Sequence, residues 1–159
     1  LICGIMYKDE FSSVKNELTK RYGSIDYESD EYDFNFTDYY EHKIPLYYNV
    51  VISVVDEHLK KFFQTENVRY NVKDMWFETS FNSQSHPPHN HGSNGYSCVL
   101  YVNFDKTVHT PTKFHISGGY LPDVNEGDLV IFPSDLNHEA LPNKSNTPRT
   151  IISFNIEES

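Results

Sequence analysis

The sequence predicts a mainly β protein with flanking helices, built as an antiparallel sandwich or jelly roll. Three observations carry that expectation. From residue 67 onward the chain breaks into short β-branched and aromatic runs: VRYNV, MWFETSF, GYSCVLYVNF, TKFHI, GDLVIF and RTIISFNI. Between them lie turn-forming clusters such as SGGYLPDVNEGD and LPNKSNTP. Aromatic residues reach 15%, with 12 Tyr and 11 Phe, a composition that suits a sheet-based core.

Taken in order, residues 9–23 read as an amphipathic helix, because Phe11, Val14, Leu18 and Tyr22 recur at 3- and 4-residue spacings and Gly23 supplies a stop. Alternation at Tyr32, Phe34 and Phe36 marks an edge strand or ordered loop within an acidic stretch that forms a solvated face. A second helix is expected over residues 50–63, with Val51, Val54, Val55, His58, Leu59 and Phe62 on one stripe. His58 on that stripe reads as a packed or rim histidine. The expected organisation is one domain over residues 1–159. Residues 1–65 form a helical and edge-strand support, and residues 67–159 form the β core.

The formal net charge of −10 argues against a duplex nucleic-acid binder, which needs a surface of Lys and Arg to replace counterions. Cys3 and Cys98 lie far apart and read as free thiols of a reducing compartment. No apolar run approaches the roughly 20 residues of a membrane span. No basic-then-apolar signal opens the chain, and Leu1 is not an initiator. The expectation is a soluble cytoplasmic protein.

Function concentrates in the histidines. The stretch HPPHNHGS holds His86, His89 and His91. A lone H-x-H is a weak signal, but if HNHGS enters a strand, His89 and His91 point to one face and reach one ion. Downstream, GDLVIFPSDLNHE runs from a turn through an apolar strand, breaks at Pro133 and presents His138 as a third ligand. Imidazole suits iron, copper, nickel and zinc alike, so the spacing does not choose the metal. Arg149 then opens a strand in which Arg149, Ile151, Ser153 and Asn155 share one face, and Ile152, Phe154 and Ile156 share the other. The second face belongs against a core. The first lines a polar cavity, where an arginine seeks a carboxylate.

From Trp76 to Asn155 the order of elements resembles the iron(II)- and 2-oxoglutarate-dependent oxygenases. The shared pattern is Trp76; His89 and His91 followed by Gly92 and Ser93; the GYSCVLYV strand; Gly127 to Pro133; His138; Arg149; and Ser153-Phe154-Asn155. About half the chain is covered. The resemblance implies a double-stranded β-helix barrel of jelly-roll or cupin-like form, with Fe(II) as cofactor and 2-oxoglutarate as cosubstrate. It makes His89 and His138 iron ligands and Arg149 the partner of the distal 2-oxoglutarate carboxylate. Tyr96, Tyr101, Asn103 and Ser153 become candidates for the cosubstrate pocket. The implied reaction hydroxylates a C–H bond while 2-oxoglutarate is decarboxylated to succinate. The implied partners are molecular oxygen and a small-molecule or peptide substrate, with no membrane and no duplex nucleic acid; a homodimer is compatible.

The chain departs from that pattern at one place. The usual facial triad has a carboxylate two residues after the first histidine, where this chain has His91. Either His91 is the third ligand, or a carboxylate comes from elsewhere, with Glu78, Asp105 and Glu139 the nearest in sequence. The runner-up is a cupin-type three-histidine metalloenzyme that does not use 2-oxoglutarate, for which a buried Arg149 is the discriminator. A third reading is a non-enzymatic jelly-roll binding module whose histidines merely sit in a loop stiffened by Pro87 and Pro88. His86, His109 and His115 fit no ligand spacing and read as surface or cavity-rim residues.

Overall fold

The computed structural model of the chain describes residues 2–5, 12, 16, 36–63, 69–80 and 83–158. In chain order these form β1 (Ile2–Ile5), β2 (Phe36–Thr37), a 3-10 turn (Tyr39–Glu41), α1 (Tyr48–Phe62), β3 (Tyr70–Ser80), β4 (His86–His89), β5 (Tyr96–Asn103), β6 (Lys113–Phe114), β7 (Asp128–Pro133), β8 (His138–Ala140) and β9 (Arg149–Glu158). Every pairing is antiparallel. A six-stranded sheet runs β1-β7-β5-β9-β3-β2, and a three-stranded sheet runs β4-β8-β6. The two sheets lie as the layers of a jelly roll. The expected barrel is not closed, since the larger sheet ends on β1 and β2.

Side-chain alternation divides the large sheet into two faces. On the outer face, Met75, Phe77, Cys98, Leu100, Leu129, Ile131, Ile152, Phe154 and Ile156 pack with Val51, Val54, Val55 and Leu59 of α1. A fully buried aliphatic side chain such as Leu59 contributes about 1.5–3 kcal/mol. The predicted stripe of α1 is therefore the one that is buried, and Lys60 and Lys61 complement the dipole in its last turn. On the inner face, Val99, Tyr101, Val130, Phe132 and Ile151 meet Phe114 of β6, which joins the two sheets through a second core. Buried Asp38 fixes the start of α1 to β3, accepting from Tyr47 Oη at 2.6 Å and from the Phe77 N–H at 2.9 Å.

Several elements differ from expectation in extent. VRYNV and MWFETSF fuse into the single strand β3, bent by a bulge between Val72 and Asp74. TKFHI pairs only at Lys113–Phe114. Of the edge strand expected around Tyr32, Phe34 and Phe36, only Phe36 falls on a described strand, β2; Tyr32 and Phe34 lie outside the described residues. The helix expected over 9–23 also lies outside them, apart from Ser12 and Asn16, which are helical. Cys98 is a buried thiol.

Candidate metal centre

The small sheet places two of the histidines. β4 is an edge strand, so the missing N–H groups of Pro87 and Pro88 leave no gap in a ladder. His89 at its end lies directly opposite His138 at the start of β8. His91 lies beyond the strand. HNHGS does not continue as a strand as expected; instead the His91 N–H donates to the Ser134 carbonyl at 2.8 Å, and Gly92 at φ 94° turns the chain away. The convergence on one ion comes from that anchor rather than from strand period.

The three imidazoles meet with one ligand-capable nitrogen each, all within 4.8 Å of one another. His89 Nδ1–H donates to the Pro87 carbonyl at 2.8 Å and His138 Nδ1–H to the Leu136 carbonyl at 2.9 Å. A carbonyl only accepts, so both rings carry their proton on Nδ1 and present a bare Nε2, the arrangement typical of metal-binding histidines. His91 Nε2 stands 3.3 Å from His138 Nε2. Two ring nitrogens at that distance need a proton or a cation between them. Burial, reinforced by the neighbouring histidines, pushes His91 and His138 down to about 4. Burial lowers His89 as well. At neutral pH all three are uncharged, the protonation state that binds metal.

Arg149 occupies the inner face of the large sheet. It is buried rather than exposed at a strand edge. Its Nε–H donates to the Thr110 carbonyl at 3.0 Å, and the guanidinium lies over Tyr101 at 5.7 Å and Phe104 at 6.0 Å. Nη2 is buried without a hydrogen-bond partner. Desolvation lowers its pKa, but a guanidinium remains a cation. An unmet buried donor costs about 1–3 kcal/mol, more when charged. Such a group calls for an anion.

The other expected site residues separate. Tyr101 supports Arg149 from below, its Oη donating to Thr112 Oγ1 at 2.9 Å and accepting from the Thr112 N–H at 3.1 Å. Ser153 lines the cleft with Trp76, Glu78, Ser97, Ile151 and Asn155. Asn103 stands on the same inner face at the far end of β5 and donates to the Pro148 carbonyl at 3.0 Å. Tyr96 is not brought to the cleft; it packs against Phe62 and Phe63, at 5.0 and 5.7 Å between centroids, on the helix side of the sheet. Among the alternative carboxylates, Asp105 is exposed and binds Thr107. Glu139 reaches Lys113 at 3.6 Å, and Glu78 reaches His86 at 2.9 Å. None of the three belongs to the cluster of converging nitrogens. His115 is exposed, as expected. His109 is not a surface or rim residue: it is buried, accepting the Asp105 N–H at 3.0 Å and donating to the Thr147 carbonyl at 2.9 Å. Sequence reasoning passed over Ser97, which donates to Asn155 Oδ1 at 2.8 Å on the polar face expected of β9, whereas Glu78 and His86, expected as an alternative carboxylate and a surface or rim histidine, pair with each other at 2.9 Å in the cleft. Period-two counting along MWFETSF puts Trp76, Glu78 and Ser80 on one face.

Comparison with known proteins adds the following. Residues 106–155, which include His138 and Arg149, match the family described as "Putative 2OG-Fe(II) oxygenase". Residues 1–86 match a domain of unknown function, DUF4416. No curated protein matches the chain in sequence. Among solved structures, a 2OG-Fe(II) oxygenase family oxidoreductase from Burkholderia pseudomallei superposes with a TM-score of 0.58 at 14% identity, over 73% of this chain and 58% of that one. The viral collagen prolyl hydroxylase of Paramecium Bursaria Chlorella virus-1, solved with 2OG, gives 0.67 at 14% identity over 99% and 93%. HygX from Streptomyces hygroscopicus, with nickel and 2-oxoglutarate bound, gives 0.71 at 11% identity over 98% and 81%. These likenesses establish the double-stranded β-helix fold.

Proposed function

We propose that this chain, which belongs to the family DUF4416 by the match of residues 1–86 and whose residues 106–155 match the family described as "Putative 2OG-Fe(II) oxygenase", is an iron(II)- and 2-oxoglutarate-dependent dioxygenase that hydroxylates its substrate; the second match, not the first, supports that reading. The balanced reaction takes a substrate C–H, 2-oxoglutarate and O2 to the alcohol, succinate and CO2. His89, His91 and His138 hold the iron, and Arg149 binds the distal carboxylate of 2-oxoglutarate. The observation that carries this reading is the buried, unpartnered Nη2 of Arg149 on the sheet face that also lines the histidine cleft. A buried cation at that place favours 2-oxoglutarate over a cupin-type enzyme without it.

The residues fit both groups. Three neutral imidazoles with converging nitrogens suit a divalent first-row metal and leave positions open for cosubstrate and oxygen. Bound iron supplies the redox chemistry with oxygen. The chain supplies the rest. The Pro87 and Leu136 carbonyls hold the tautomers of His89 and His138, and Ser134 fixes His91. Thr110 and Tyr101 aim the guanidinium. Trp76, Phe132 and Ile151 form an apolar wall that limits water. The substrate class expected is a small molecule or a peptide. The test is anaerobic titration with Fe(II) and then 2-oxoglutarate, read by the visible charge-transfer band of chelated iron(II). A band that disappears in His89→Ala and weakens in Arg149→Ala supports the reading. Iron binding without a band transfers it to the cupin type, and no metal binding leaves a binding module.

A further inference from the structure

Two carboxylates line the cleft, Glu78 and Glu139, and the proposed reaction uses neither. Glu78 is half-buried, its side chain 11% exposed, on the inner face of β3. One of its oxygens, Oε1, accepts from two rings: His86 Nδ1–H at 2.9 Å and Trp76 Nε1–H at 3.4 Å. Each of those rings packs against a different member of the histidine cluster. His86 stacks face to face on His89, with centroids 4.1 Å apart and planes 12° apart. Trp76 lies 5.6 Å from His91. His89 and His91 are therefore backed by two plates, and a single carboxylate oxygen ties both plates together.

Resting on the metal centre proposed above, we infer that Glu78 is a positioning residue for that centre, holding His89 through His86 and His91 through Trp76. The chain has no carboxylate at the usual ligand position, and here a carboxylate acts from outside the coordination sphere. Outer-shell partners of metal ligands are typically worth about 10–100-fold in metal affinity. Glu78→Met removes the acceptor while keeping side-chain bulk, and Glu78→Gln keeps an amide oxygen that both donors can reach. The experiment is Co(II) binding to the metal-free protein, read by affinity and by the visible ligand-field spectrum, alongside thermal unfolding without metal. Glu78→Met is expected to bind Co(II) about 10–100-fold more weakly, with an altered spectrum. Glu78→Gln should recover most of that affinity. Unchanged binding in Glu78→Met overturns the inference. So does equal weakening in both variants, which would assign the effect to charge rather than position. If Glu78→Met does not fold, His86→Ala replaces it, because His86 is partly exposed and its loss removes the plate behind His89; unchanged affinity there likewise overturns the inference. Wild-type protein that binds no Co(II) refutes instead the metal centre itself.

Discussion

Replacing Arg149 by Met separates what the guanidinium does for a ligand from what it does for the fold. The unpartnered Nη2 is the donor left for a carboxylate, since Nε already serves Thr110. A hydrogen bond to a charged partner is worth about 1.5–3 kcal/mol, so its loss weakens 2-oxoglutarate binding by about 10- to 150-fold at 1.4 kcal/mol per decade. In the absence of ligand two effects oppose. Removing an unsatisfied buried donor gains about 1–3 kcal/mol, and leaving the Thr110 carbonyl without its donor costs a similar amount. Met also packs well against the Tyr101 and Phe104 rings. The ligand-free Tm is therefore expected to stay within about 8 °C of wild type, given about 2–4 °C per kcal/mol in a domain of this size. Calorimetric titration of the iron(II)-loaded protein with 2-oxoglutarate under anaerobic conditions gives the Kd, and thermal unfolding gives the second quantity. Arg149→Lys should fall between wild type and Met, because an ammonium cannot keep the Thr110 bond and reach the carboxylate with the same fork. An unchanged Kd in Arg149→Met refutes the assignment of this residue.

Three further outcomes follow from the same geometry. His138→Ala and His91→Ala should each lower Co(II) affinity by more than the about 10–100-fold typical of an outer-shell partner, while His91→Asp, which restores a carboxylate two residues after His89, should retain binding measured in the same titration. Stability should fall on acidification: His91 and His138 are depressed in the folded state to about 4 from 6.5, so their contribution is complete above 6.5 and is lost as pH drops from there toward 4. His86, raised by its bond to Glu78 against desolvation, acts in the opposite sense and loses its contribution as pH rises through its folded value; unfolding midpoints at pH 7.5, 6 and 5 measure the balance, and no loss toward pH 5 contradicts the buried neutral pair. Gly95→Ala should not fold, because Gly95 has φ 84° and an added Cβ would fall 2.2 Å from the Ile156 carbonyl oxygen; soluble expression and circular dichroism report it.

Much of this arrangement was legible in the sequence wherever one period governed a whole element. The α1 stripe and the two faces of β9 follow from spacing alone, because each face meets a single environment: the helix on one side, the cleft on the other. The same rule separates Tyr96 from Tyr101, since residues five apart on one strand face opposite sides; assigning both to a pocket ignored the parity of β5. His109 was misjudged because its loop buries it through bonds to Asp105 and Thr147, and no local pattern announces those partners. His91 joins the imidazole cluster by a route other than strand period. Its position depends on a carbonyl 43 residues away, at Ser134, and a contact between two loops leaves no periodic trace.

The division of labour between the sheets explains why a three-histidine centre and an arginine can coexist in so small a cleft. The small sheet holds His89 and His138 across one antiparallel pair, with tautomers fixed by backbone carbonyls two residues upstream in each case. The large sheet holds Arg149 and Glu78 on adjacent strands, β9 and β3, whose pairing sets their separation. The histidines are therefore located by one ladder and the guanidinium and carboxylate by another, and the contacts of Phe132 with Phe114 and His138 set how closely the ladders approach. Neutral imidazoles add no charge beside the guanidinium, and Glu78 is the one carboxylate in the cleft whose field reaches His89, His91, His138 and Arg149 alike. With a divalent metal added, the cleft carries a net positive charge even counting Glu78 and Glu139, the second of which is paired with Lys113. That excess suits a dianionic cosubstrate, which would neutralise the metal at one end and the guanidinium at the other.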